Sequence, residues 1–233
     1  MRFALETALF VVIVVAFPVW GTFQTRRLRA NASDVDARTG GYIETLVGLW
    51  VAAAAAIALR GWNLLFTAPI RPAWLPSTVD LLPIAIGGFL GLAIPLVLLR
   101  MRRSREGSAN VFTRQIEGLA WFLPVTPTQR WLWVAVSISA GICEELLFRG
   151  FAMRYLMQEP LALTVVPAII VASVAFGINH AYQGIAGILG TTILGAVFAL
   201  LFLITGNLAA VIVVHALIDL RVLLLPKPAA GRT

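Results

Sequence analysis

Seven stretches of this chain are long and apolar enough, or nearly so, to cross a lipid bilayer, at about 4–20, 42–59, 81–99, 131–156, 161–179, 184–204 and 207–225. A spanning helix needs about 20 mostly apolar residues to cover roughly 30 Å of hydrocarbon. The pattern predicts an all-α fold, a multi-pass transmembrane helical bundle of about seven spanning helices. Composition agrees: 60% of the 233 residues are apolar, 12% are charged and the mean hydropathy is +0.90, which excludes a freely soluble globular domain. A net charge of +7 without a polar face to gather it excludes a nucleic-acid partner. The single cysteine, Cys143, excludes a disulfide framework and any Cys-rich metal centre. In an apolar helix it reads as a small apolar residue.

The connections divide the chain. Those at 21–41, 60–80 and 100–130 are long, polar and rich in Arg, Pro, Asp and Ser, whereas the last three are short and nearly uncharged. Residues 1–114 therefore read as an N-terminal three-helix transmembrane region with long loops, 115–225 as a four-helix core, and 226–233 as a disordered tail. The segment from Phe112 to Arg130 mixes apolar and basic residues, as either an amphipathic stretch on the inner surface or a solvated loop would.

Basic residues set the orientation, because Lys and Arg accumulate on the cytoplasmic side. With the N-terminus outside, thirteen of the eighteen fall inside (Arg26, Arg27, Arg29, Arg38, Arg100, Arg102, Arg103, Arg105, Arg114, Arg130, Arg221, Lys227, Arg232), three outside (Arg2, Arg60, Arg71) and two in the fourth stretch (Arg149, Arg154). The reading is a cell-membrane protein with its C-terminus in the cytoplasm. A cleaved signal peptide is the weaker reading of the first stretch: the Ala30-Asn31-Ala32 site lies beyond Arg26, Arg27 and Arg29, a cluster suited to anchoring. Trp20, Trp62, Trp121, Trp131 and Trp133 lie near expected helix ends, where indoles favour the interface, and Trp50 reads as packing. Gly187, Thr191, Gly195 and Ala199 form a small-residue stripe that lets a neighbouring helix come close.

Ionisable groups inside spans are costly and mark function. Glu144, Glu145 and Arg149 lie in the fourth stretch, His180 ends the fifth, and His215 and Asp219 lie in the last. Glu6 and Glu44 lie near helix ends and read as structural. Glu145 and Arg149, four apart, share a helix face and can pair, while Glu144 points about 100° away and is left to face a cavity. His215 and Asp219 are also four apart, close enough for the carboxylate to orient the imidazole. Hydrolysis of an amide needs a base for water, an oxyanion stabiliser and an acid for the leaving amine. Glu144 with His180 can supply the first and last, and His215 the second. By height Glu144 and His215 fall near mid-membrane and His180 nearer the cytoplasm, so a shared site opens inward. Ser137, Ser139 and Ser173 read as residues that bond backbone carbonyls or assist packing.

Three short patterns in these stretches resemble the CPBP intramembrane proteases, which include the CAAX prenyl endopeptidases and bacteriocin-processing or self-immunity proteins. Glu144-Glu145-Leu146-Leu147-Phe148-Arg149 matches EExxxR, Phe176-Gly177-Ile178-Asn179-His180 matches FxxxH, and His215-Ala216-Leu217-Ile218-Asp219 matches the final His with its partner four residues on. The resemblance covers about residues 115 to 225 and makes 115–225 a CPBP-like catalytic core. It implies that Glu144 and His180 activate water, that Glu145 and Arg149 hold the site, and that His215 with residue 219 supports the oxyanion. Where similar CAAX proteases carry Asn, this chain has Asp219, and an ionised aspartate cannot donate to an oxyanion. Asp219 is then protonated, or orients His215, or helps bind a metal.

The expected activity is that of an intramembrane endopeptidase acting on a membrane protein or peptide through Glu/His-activated water. The alternatives are a non-proteolytic scaffold or immunity protein and a proton-coupled transporter. No cofactor is required on this reading. Zinc is the other possibility, with Glu144, His180 and His215 as candidate ligands. All but one of the Lys and Arg residues are arginine, which suggests a GC-rich bacterial source and a leader peptide or small membrane protein as substrate. The oligomeric state is not fixed by the sequence.

Overall fold

The computed structural model describes residues 1–70 and 120–224. The expected third span at 81–99, part of the 60–80 connection, most of the 100–130 connection and the tail at 226–233 lie outside the described residues, and with them eight of the eighteen basic residues. Within them the chain forms seven helices and no strand: α1 (Arg2–Ala30), α2 (Val35–Arg60), α3 (Trp62–Phe66), α4 (Pro127–Met157), α5 (Val165–Asn179), α6 (Ala181–Thr205) and α7 (Ala209–Leu220), followed by a 3-10 turn at Arg221–Leu224. The helices α1, α2, α4 and α6 are long and apolar enough to cross a membrane. The all-α membrane bundle expected from hydropathy is what these residues form.

Helix ends follow local chemistry. Asp34 caps α2 by accepting from the Asp36 and Ala37 amides, and α2 stops at Gly61, whose φ of +79° excludes ordinary side chains. Thr126 and Gln129 form a reciprocal capping box at the start of α4, with Pro127 at its first position. Gly206 ends α6 in the left-handed conformation.

Two helices contain π-helical segments, Val12–Ala16 in α1 and Leu146–Ala152 in α4. The first precedes Pro18, whose ring would clash with the carbonyl four residues back in a regular helix. There the Phe17 amide reaches five residues back to Val12. The regular α-helix expected across 131–156 is thus corrected at the residues that follow Glu145.

The expected loop at 21–41 is corrected as well. Helix α1 continues to Ala30 and α2 begins at Val35, so Arg26, Arg27 and Arg29 occupy the last turns of α1. Arg38 is a buried helical residue that donates to the carbonyls of Ala32, Trp121 and Leu123. Trp20 lies within α1 beside a cavity, whereas Trp133 is 9% exposed and donates to the Asp219 carbonyl, so it packs inside the bundle. Trp50 donates to Ser139.

Close helix approaches set the distances in the interior. A Cβ on Gly141 of α4 would stand 2.9 Å from the Ile212 carbonyl of α7. One on Gly177 of α5 would stand 2.7 Å from the Ile188 carbonyl of α6. Leu146, Phe148, Phe151, Phe176, Phe198 and Phe202 fill the core between these helices. Outward faces carry exposed apolar residues such as Val47, Val51, Ile170, Ile185 and Ile193, a surface suited to lipid.

Candidate active site

Glu145 and Arg149 form the buried base of the site. Glu145 Oε1 accepts from Arg149 Nη1 at 2.9 Å and from His215 Nδ1 at 2.6 Å. Arg149 also donates through Nη2 to the Gly195 carbonyl at 3.1 Å, and its guanidinium lies over Phe176 (4.4 Å to the ring centre) and Phe198 (5.3 Å). A buried guanidinium needs this combination of carboxylate, carbonyl and ring faces, because an unmatched charge there would be costly. Gly195, in the small-residue stripe, brings its carbonyl in: a Cβ on it would stand 3.2 Å from Ser173 and 3.3 Å from Arg149 Nη2.

The histidines are oriented from below. Nδ1 of His180 lies 2.8 Å from the Phe176 carbonyl, an oxygen that only accepts, so this nitrogen carries the proton and Nε2 is turned outward. His215 is held through Nδ1 by Glu145, which also leaves its Nε2 free. Asp219, for which orienting His215 is one of the three expected roles, does not share the nitrogen that Glu145 holds. Asp219 Oδ2 stands on the other side of the ring, 3.7 Å from Nε2. The link from residue 145 to residue 215 joins two helices and has no trace in local spacing.

Both free Nε2 atoms face Glu144. Its Oε2 is 3.9 Å from His180 Nε2 and 3.9 Å from His215 Nε2, and it is buried with no hydrogen-bond partner among the described residues. Glu144, His180, His215 and Asp219 line a cavity of about 300 Å³. Its walls include Phe17, Trp20 and Gln24 of α1, Trp121 and Phe122 before α4, and Arg221 after α7. Among the described residues no three His, Cys, Asp or Glu side chains are disposed to hold a metal ion together.

Some contributors escape sequence reading. Phe176 packs on both histidines, with ring centres 4.7 Å from His180 and 5.9 Å from His215, and Phe198 packs on His215 at 5.3 Å. Phe176 opens the second motif and was visible there as a position without a role. Phe198 carries no signal until α6 is placed. Ser137 and Ser173, expected to bond carbonyls or pack, are buried with hydroxyls that make no hydrogen bond among the described residues. Cys143 is buried against Leu49, Ala53 and Ala140, and Glu44 pairs with Arg27 at 2.6 Å.

No curated protein and no solved structure matches the chain. Residues 126–221 match the family model described as type II CAAX prenyl endopeptidase Rce1-like. That range contains Glu144, Glu145, Arg149, His180, His215 and Asp219, and the family is one of peptidases. Residues 126–221 are thus similar to the Rce1-like type II CAAX prenyl endopeptidase family, in keeping with the CPBP likeness of the three motifs.

Proposed function

We propose that this protein is an intramembrane endopeptidase that hydrolyses a peptide bond of a membrane-associated protein or peptide with water activated by Glu144 and His180. The observation that carries the reading is the Glu144 carboxylate oxygen, buried, without a hydrogen bond among the described residues, and facing two imidazole nitrogens across a cavity. Glu144 takes a proton from the water as its oxygen attacks the scissile carbonyl, and His180 Nε2 accepts the second water hydrogen and fixes the attack angle. His215, protonated on Nε2, donates to the oxyanion, and Asp219 balances its charge. The proton held by Glu144 then passes to the leaving nitrogen as the C–N bond breaks, and the new carboxyl group gives its remaining proton to the amine, leaving a carboxylate and an ammonium.

Glu145 and Arg149 hold His215 and do not touch the reacting atoms. This chemistry uses side chains alone and calls for no cofactor. The cavity runs toward the bundle end that bears Arg26, Arg27, Arg29, Arg130 and Arg221. On the positive-inside reading that end is cytoplasmic, and the site receives substrate from that side of the cell membrane. A leader peptide or small membrane protein of a bacterial cell is the substrate class this favours.

The test compares new protein N-termini in membranes of cells producing wild type or Glu144→Gln at equal levels. Termini present only with wild type are expected. Identical termini, with both proteins folded, would move the assignment to a partner-binding role in the membrane.

A further inference from the structure

Asn179 precedes His180 and lines the same cavity, and its orientation is fixed by a feature of α1. In the π-helical segment the Phe17 amide bonds the Val12 carbonyl. The next amide in that register would be residue 18, to Ile13, and proline has none. Ile13 is fully buried, so its carbonyl needs another donor. Asn179 Nδ2 supplies it at 3.1 Å and gives its second hydrogen to the Ala175 carbonyl at 2.9 Å. Turning the amide over would set Oδ1 against two carbonyl oxygens. What Asn179 has left to offer the cavity is Oδ1, an acceptor that makes no hydrogen bond among the described residues. On α4, Ser137 lines the same cavity, is 1% exposed, and has a hydroxyl without a partner among the described residues.

A helical segment uses its N–H and C=O groups internally, whereas an extended one presents both. We infer that Asn179 is a substrate-positioning residue whose Oδ1 accepts a backbone N–H from an extended peptide segment in the cavity, with Ser137 donating to a backbone carbonyl of the same segment. The inference rests on the proteolytic reading. It assigns the substrate class as a locally unwound segment recognised through its backbone, so that side-chain sequence is read loosely near the cut.

The test uses purified full-length wild type in lipid nanodiscs and quenched fluorescent decapeptide mixtures, from which the best-cleaved sequence is remade with single ester replacements of the non-scissile amides. Each ester removes one N–H and weakens the carbonyl of the same bond as an acceptor, and only the first loss is relieved in Asn179→Leu. One position is expected at which the ester lowers kcat/KM about tenfold in wild type. In Asn179→Leu the all-amide peptide is cleaved about tenfold more slowly, and the same ester costs less than twofold. An ester penalty that persists in Asn179→Leu, or no sensitive position in wild type, overturns the inference and leaves the proteolytic reading standing. If wild type cleaves none of the peptides, that reading falls and this one with it. Should Asn179→Leu fail to fold, Asn179→Ser takes its place, since a serine hydroxyl can still bond the Ala175 carbonyl one turn back but is too short to reach into the cavity.

Discussion

Glu145 Oε1 accepts charge-assisted bonds from both Arg149 and His215, whereas the adjacent Glu144 Oε2 accepts none from the protein among the described residues. Substitution at the two positions should therefore separate activity from stability. Glu144→Gln keeps shape and removes the base, so the melting temperature is expected to stay near that of wild type while kcat falls by about 10²–10⁴. Arg149→Met leaves the buried Glu145 carboxylate with His215 alone as its partner. A loss of about 3–5 kcal/mol is expected, read as a lower melting temperature in detergent. Arg149→Lys should recover little of this, because one ammonium cannot reach Glu145, the Gly195 carbonyl and two ring faces together.

Between elements, glycines measure how close the helices come. Gly177→Val is expected to lower the melting temperature and uncouple His180 from Glu144, because its Cβ would collide with the Ile188 carbonyl and with Thr192. Gly190, on an exposed face of α6, meets nothing within 4 Å, so Gly190→Ala should be neutral or stabilise by up to about 1 kcal/mol. Melting curves of the pair check both expectations. The three motifs were legible because each lies within one turn or two of helix, where spacing fixes the face. The Glu145 to His215 bond and the Phe198 contact were not, since both depend on how distant helices are packed. Hydropathy also misplaced the end of α1: it registers where hydrocarbon gives way to headgroups, and Arg26, Arg27 and Arg29 extend a helix past that boundary without breaking it. The third expected span at 81–99 lies outside the described residues.

Across the whole molecule, the end away from the cavity is tied by a buried polar cluster. Glu6, 2% exposed, pairs with Arg60 at 2.7 Å and accepts from Gln158 at 2.7 Å, joining the start of α1 to the ends of α2 and α4. Glu6→Ala strands the Arg60 charge and should cost about 3–5 kcal/mol, while kcat/KM of the folded fraction stays within about twofold of wild type, as titration of active enzyme against a peptide substrate would show. Hydrogen exchange should likewise find the amides around Glu6, Arg60 and Gln158 more protected than those around Gln24, Thr45 and Trp121. The other end of α1 is fastened as well, through Arg27 to Glu44 at 2.6 Å, Gln24 to the Gly41 carbonyl at 3.3 Å and Arg29 to the Tyr182 carbonyl at 3.4 Å. The helix is thus a beam pinned at both ends, and Trp20 stands on the stretch between the pins.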